Sequence, residues 1–253
     1  MEVLNARSVL VTGSNRGIGL ELVRQLAEGK NRPEWIFATC RDPDGPRAQE
    51  LKNLAAKHQG VKIIQLNTTD LSSVKAAAAT VTKQLKGTGL NLLVNNAGIL
   101  DANSQDTMEN MCKIYETNVV GTMIVSQEFL PLLKKASQES PLKGMSCSRA
   151  AIVNISSIGG SITDATVSRA IPYRCSKAAL NMLTKCQSLE FAQDNILCIA
   201  VHPGWVQTDM GKSVGQPPFT AEFSVKEILN TIANLAEKDN GTFVNWEGKV
   251  IPW

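Results

Sequence analysis

Charge of one sign is scarce along this chain, and so are metal-type cysteine spacings and long apolar runs. The 26 basic and 23 acidic residues leave a formal charge of +3, and like charges never gather beyond a pair such as Lys134 and Lys135. That excludes the electrostatic footprint of a nucleic-acid or membrane-surface binder. The six cysteines, at 40, 112, 147, 175, 186 and 198, form no CxxC, no Cys/His zinc spacing and no regular framework. They read as reduced thiols of a cytosolic protein, with no metal site expected. The longest apolar stretch, 196–201, is far shorter than a membrane span. Because Met1 leads almost directly into an apolar strand, neither a signal nor a transit peptide is expected, and a soluble, cytoplasmic protein is. Internal repeats, linkers and low-complexity tracts are missing too.

What is there is the composition of one soluble globule. With 253 residues, 43% hydrophobic and 19% charged, the chain suits a single domain over 1–253. Short β-branched runs at 8–11, 35–39, 61–66, 90–94, 150–155, 196–201 and 241–244 read as strands. Between them, apolar residues spaced by three and four predict helices over 17–28, 46–58, 71–85, 107–134, 173–192 and 222–237. Such alternation implies an α/β fold: a Rossmann-type, doubly wound domain with a seven-stranded parallel sheet and helices on both faces. Two stretches break the rhythm. The polar segment 135–149 reads as a surface loop, and 204–219, rich in glycine and proline after the sixth strand, reads as a candidate lid over the ligand crevice.

The first predicted strand ends in Thr12, Gly13, Ser14, Asn15, Arg16, Gly17, Ile18 and Gly19, and a helix begins at once. Glycines after a strand let the backbone turn sharply and approach a pyrophosphate, whose charge the helix N-terminus stabilises. The spacing is TGxxxGxG, a variant of the common dinucleotide pattern. An NAD site keeps a carboxylate at the end of the second strand for the ribose hydroxyl. Here that position falls in Thr39-Cys40-Arg41, so Arg41 and Arg16 offer two guanidinium groups to a 2′-phosphate, favouring NADP. The opposing reading makes both arginines solvated surface groups and gives the acid's role to Asp42.

Tyr173 and Lys177 stand four residues apart at the start of a predicted helix, hence on one face. A phenol is a sluggish acid at neutral pH, and an adjacent ammonium lowers its pKa. Ser156 and Ser157 leave the fifth strand on the crevice side; Ser157 is the better carbonyl ligand, Ser156 the better turn-former.

Together TGxxxGxG at 12–19, Asn95-Asn96-Ala97-Gly98, Asn118, Ser157, Tyr173 with Lys177, and Pro203-Gly204 resemble the short-chain dehydrogenase/reductase family over the whole chain. Within it, Thr39-Cys40-Arg41, the run 130–135, the run 149–152 and the run 202–206 are similar to sniffer-type carbonyl reductases. The resemblance implies NADPH-dependent reduction of quinones, dicarbonyls or aldehydes, with Asn118, Ser157, Tyr173 and Lys177 catalytic. It implies cofactor contacts from Gly13 to Gly19, from Arg41, from Asn67 near the adenine, and from Asn95, Ala97 and Gly98. It adds Tyr173, Lys177, Pro203 and Gly204, with Val206 and Thr208 holding the carboxamide. In that scheme Ser157 and Tyr173 bind the carbonyl oxygen, Tyr173 gives the proton, Lys177 also binds the nicotinamide ribose, and Asn118 holds a water. Relatives are monomers, dimers or tetramers, which leaves a homodimer open. The 16-residue step from Ser157 to Tyr173 is longer than is usual in the family, which points to a pocket of its own shape around 163–169. A hydroxysteroid or retinoid dehydrogenase and a catalytically silent NADP sensor are the alternatives.

Overall fold

A computed structural model describes residues 4–101 and 106–253. Seven parallel strands form one sheet: β1 (Ser8–Thr12), β2 (Trp35–Cys40), β3 (Val61–Gln65), β4 (Leu92–Asn95), β5 (Ala151–Ile155), β6 (Leu197–His202) and β7 (Phe243–Asn245). Their spatial order is β3-β2-β1-β4-β5-β6-β7. The register is continuous, with Val9 opposite Ile36 on one side and Leu92 on the other. Order reverses between β1 and β4, and in open sheets of this kind that reversal opens a crevice at the carboxyl ends of the strands.

The inner strands β1, β4, β5 and β6 are buried on both faces, which is why their residues are apolar almost without interruption, whereas the edge strand β3 is only partly covered. Val9 and Val11 pack with α1 (Gly17–Glu28), α2 (Gln49–Lys57) and, further along, α8 (Ala221–Ala233) in one core. Leu10 points the opposite way, into a second core with α3 (Leu71–Leu85) and α5 (Gly121–Glu139). The period of two along β1 therefore divides the molecule into its two layers.

The expected fold class holds, with several boundaries moved. The fourth strand starts two residues late and takes in Asn95, and the last strand is Phe243–Asn245 instead of 241–244. The long helix expected over 107–134 is two helices, α4 (Met108–Tyr115) and α5, joined by a π turn at Glu116–Val120. There the Gly121 N–H donates to the Glu116 carbonyl, five residues back. The chain stays helical throughout, so apolar periodicity does not reveal the extra residue. α6 (Ile171–Glu190) begins before Tyr173, with proline in its first turn, where the missing N–H is harmless. The last helix ends at Ala233, and a separate turn follows at Glu237–Asp239.

The segment 135–149 is less of a surface loop than its polarity suggests. α5 continues to Glu139, and Met145 and Cys147 are buried in the first core. Arg149 holds the bend by donating to the carbonyls of Ser137, Leu142 and Gly144. The segment 204–219 contains a short helix, α7 (Asp209–Lys212). All six cysteines are free thiols, and no helix among the described residues is long and apolar enough to cross a membrane.

Candidate active site

The turn after β1 is built for a close backbone approach. Gly13 and Gly17 adopt φ of +66° and +55°, where a side chain is strained. Gly19 has a different duty: a Cβ there would lie 2.2 Å from the Gly13 carbonyl oxygen and 2.5 Å from Asn96 Nδ2. Asn96 Nδ2 donates to the carbonyls of Thr12 (2.9 Å) and Gly13 (3.2 Å), fastening the turn to the end of β4. In return Thr12 Oγ1 accepts from the backbone N–H groups of Asn96 and Ala97. The first turn of α1 has neither an acidic residue nor a side-chain cap, so its N–H groups are left to an anion. That uncapped end faces a cleft of about 560 Å³ bordered by Gly13, Arg16, Ile18, Ala97, Gly98 and Tyr173 among others. The cradle fits the pyrophosphate of a dinucleotide.

At the outer end, Arg41 and Arg16 both border the cleft. Asp42 does too, but its Oδ1 accepts the backbone N–H groups of Asp44 and Gly45 and so serves the local turn. Arg41 has no ion pair among the described residues, whereas Arg16 Nη1 meets Asp209 Oδ2 at 2.8 Å. A third guanidinium, Arg47, borders the same end.

At the inner end, Tyr173 and Lys177 both line the cleft from α6. Burial raises the Tyr173 pKa, and the Ser157 hydroxyl is what pulls it down. Ser157 Oγ accepts the Gly159 N–H at 3.1 Å, which leaves its own hydrogen for the phenol or for a substrate oxygen. Lys177 is buried. Its Nζ lies over the tyrosine ring, 5.6 Å from the centroid, and donates to the Ile155 carbonyl at 2.8 Å. Burial lowers its own pKa to about 8. Asn118, fully buried in the π turn, has its amide committed: Oδ1 accepts the Ile99 N–H, and Nδ2 donates to the Ile99 carbonyl and Ser176 Oγ. Its side chain braces the loop after β4 against α6.

Residues 7–218 match the family model described as short chain dehydrogenase. The chain belongs to the short-chain dehydrogenase family. Among solved structures it is similar to an NADPH-bound carbonyl reductase from chicken fatty liver, 55% identical, covering all of this chain and 96% of that one, with a TM-score of 0.96. The carbonyl reductase Sniffer of D. melanogaster is 38% identical, covering 98% of this chain and 100% of that one, with a TM-score of 0.93. An uncharacterised oxidoreductase of Schizosaccharomyces pombe is 32% identical over 96% of each chain.

Of the remaining residues expected to meet the cofactor in this short-chain dehydrogenase, Asn15, Gly17, Asn67, Pro203 and Thr208 also line the cleft. Others sit behind it. Ser14 is buried and donates to the Val11 carbonyl, and Val206 is buried. Asn95 points into the second layer, donating to Ser126 Oγ and Asn154 Oδ1. Gly19 and Gly204 do not reach the cleft wall either. Sequence reasoning took Asn96 only as part of the motif closing the fourth strand and passed over Arg47. The first was signalled by two asparagines closing an apolar strand, the second by a basic residue directly after Gly45-Pro46.

Proposed function

We propose that this oxidoreductase of the short-chain dehydrogenase family uses NADPH to reduce reactive carbonyl compounds, with quinones, dicarbonyls and aldehydes as the substrate class. The observation that carries this is one cleft with a glycine turn and an uncapped helix end at its middle, free guanidinium groups at its outer end and Tyr173 with Lys177 at its inner end. The likeness to the chicken enzyme supports the same cofactor and chemistry.

Arg41, Arg47 and Arg16 would hold the 2′-phosphate, and the glycine turn the pyrophosphate. NADPH, when bound, supplies the hydride. Ser157 and Tyr173 would donate hydrogen bonds to the substrate carbonyl oxygen, and Tyr173 would deliver the proton. The elevated phenol pKa keeps that proton in place until charge develops on the oxygen. Lys177, held by the Ile155 carbonyl, would present its remaining hydrogens to the cofactor ribose and to the proton path. Asn118 would keep the loop after β4 in register with α6 while this happens. The free thiols, three of them exposed, support a cytosolic site of action.

The test is turnover of Tyr173→Phe with saturating NADPH and a panel of quinones, dicarbonyls, aldehydes and ketosteroids. Wild-type protein is expected to oxidise NADPH with members of the first three groups, and the variant to be inactive while still binding NADPH. Wild-type rates from the variant would overturn the role of Tyr173, and turnover confined to ketosteroids would overturn the substrate class.

A further inference from the structure

Beyond the four residues of the proposed reaction, one buried amide stands between two of the elements that carry them. Tyr173, Lys177 and Asn181 follow one another at intervals of four along α6 and so share a face. Asn181 is buried, and both ends of its amide are used. Its Oδ1 accepts the Ser156 hydroxyl at 2.6 Å, and its Nδ2 donates to the Gly160 carbonyl at 3.3 Å. Ser156 and Gly160 flank Ser157. One side chain on the helix of Tyr173 therefore grips the turn of Ser157 before and after that serine.

The turn also lies flat on the helix. A Cβ on Gly160 would stand 2.6 Å from the Lys177 carbonyl carbon and 2.8 Å from its oxygen. Backbone contact sets how near the turn comes to α6, while the amide sets where along the helix it stops. Both partners are neutral and directional, so the pairing tolerates little sliding.

We propose that Asn181 is a positioning residue for carbonyl reduction: its amide holds the Ser157 hydroxyl in register with the Tyr173 phenol without touching substrate. The inference rests on the function proposed above for Ser157 and Tyr173. An error of about 1 Å in such a pair can lower turnover by on the order of 100-fold. Because the Ser157 hydroxyl is the group drawing the phenol pKa down, a displaced serine also leaves its mark on the pH profile.

The experiment is a double-mutant cycle on the holoenzyme with saturating NADPH and a quinone, using Asn181→Ala, Ser157→Ala and the double variant. Ser156→Ala, which removes the same grip from the turn side, serves as a second probe should Asn181→Ala fail to fold. Asn181→Ala is expected to lower kcat by ~10- to 100-fold with little change in KM or NADPH affinity. The alkaline limb of its kcat profile moves to higher pH, as the phenol keeps its proton longer. In the Ser157→Ala background the Asn181 substitution has no further effect. Additive losses, or an unshifted limb, would overturn the inference and leave the catalytic roles standing. If Ser157→Ala alone retained wild-type turnover, the proposed function of that serine would fall, and the inference with it.

Discussion

Arg16 Nη1 and Asp209 Oδ2 meet at 2.8 Å, joining the glycine turn to α7 across 193 positions of sequence. Both side chains are open to water, so the pair contributes only about 0–1 kcal/mol to stability and weakens with salt. Under the function proposed above, its larger consequence is to compete for one of the guanidinium groups that would hold the 2′-phosphate. Asp209→Asn is expected to tighten NADPH by up to about 5-fold at low ionic strength, leave NADH unchanged, and lose the gain at high salt. Fluorescence titration of both cofactors checks this; an equal change for NADH would defeat it.

Arg41 borders the same end of the cleft without an ion pair among the described residues. Charge-assisted hydrogen bonds contribute roughly 1.5–3 kcal/mol, so Arg41→Asp should weaken NADPH by about 10- to 100-fold more than NADH. Dissociation constants for the two cofactors decide it. Equal losses would return the role of cofactor discrimination to another residue.

Gly19 has no room for a methyl group, because the nearest atoms are the Gly13 carbonyl and the Asn96 amide. Gly19→Ala must therefore push the turn off β4. A destabilisation of about 1–3 kcal/mol is expected, together with weaker NADPH binding. Chemical denaturation and cofactor titration of the same preparation test both. An unchanged unfolding midpoint would contradict the close approach.

His202 closes β6 with its ring edge-on to Trp246, and its Nδ1 has no hydrogen-bond partner among the described residues. Burial lowers its pKa from the usual 6.5 to about 4. The folded protein thus binds this proton less readily than the unfolded chain does. The associated stability is complete above pH 6.5 and is lost as pH falls through 4, amounting to at most about 3 kcal/mol. Urea midpoints at pH 7 and pH 4.5 should separate more widely for the wild type than for His202→Gln. Equal separations would rule out His202 as the acid-sensitive group.

Much of the fold was legible because it rests on local periodicity. Runs such as Val9 to Val11 and the three-and-four spacing of Leu22, Val23 and Leu26 announce elements whose burial the sheet then fulfils. The glycine turn was legible for a related reason: glycine takes the positive φ of Gly13 and Gly17 without the strain a side chain brings. Periodicity fails at the π turn, where one extra residue leaves the helix helical and Asn118 lies buried. Composition fails at Met145 and Cys147, apolar residues inside a polar stretch that the first core nevertheless covers.

From the sequence alone came the sheet and its two layers, the turn between β1 and α1, and the common face of Tyr173 and Lys177, all consequences of steric rules that act within a few residues. Only the tertiary structure decided which partners each polar group found. Lys177 turned to the Ile155 carbonyl and the tyrosine ring, Asn118 spent its amide on Ile99 and Ser176, and Asn181 closed on the turn of Ser157. Those choices join residues on separate elements, and they depend on desolvation and hydrogen-bond geometry that exist only once the layers have packed.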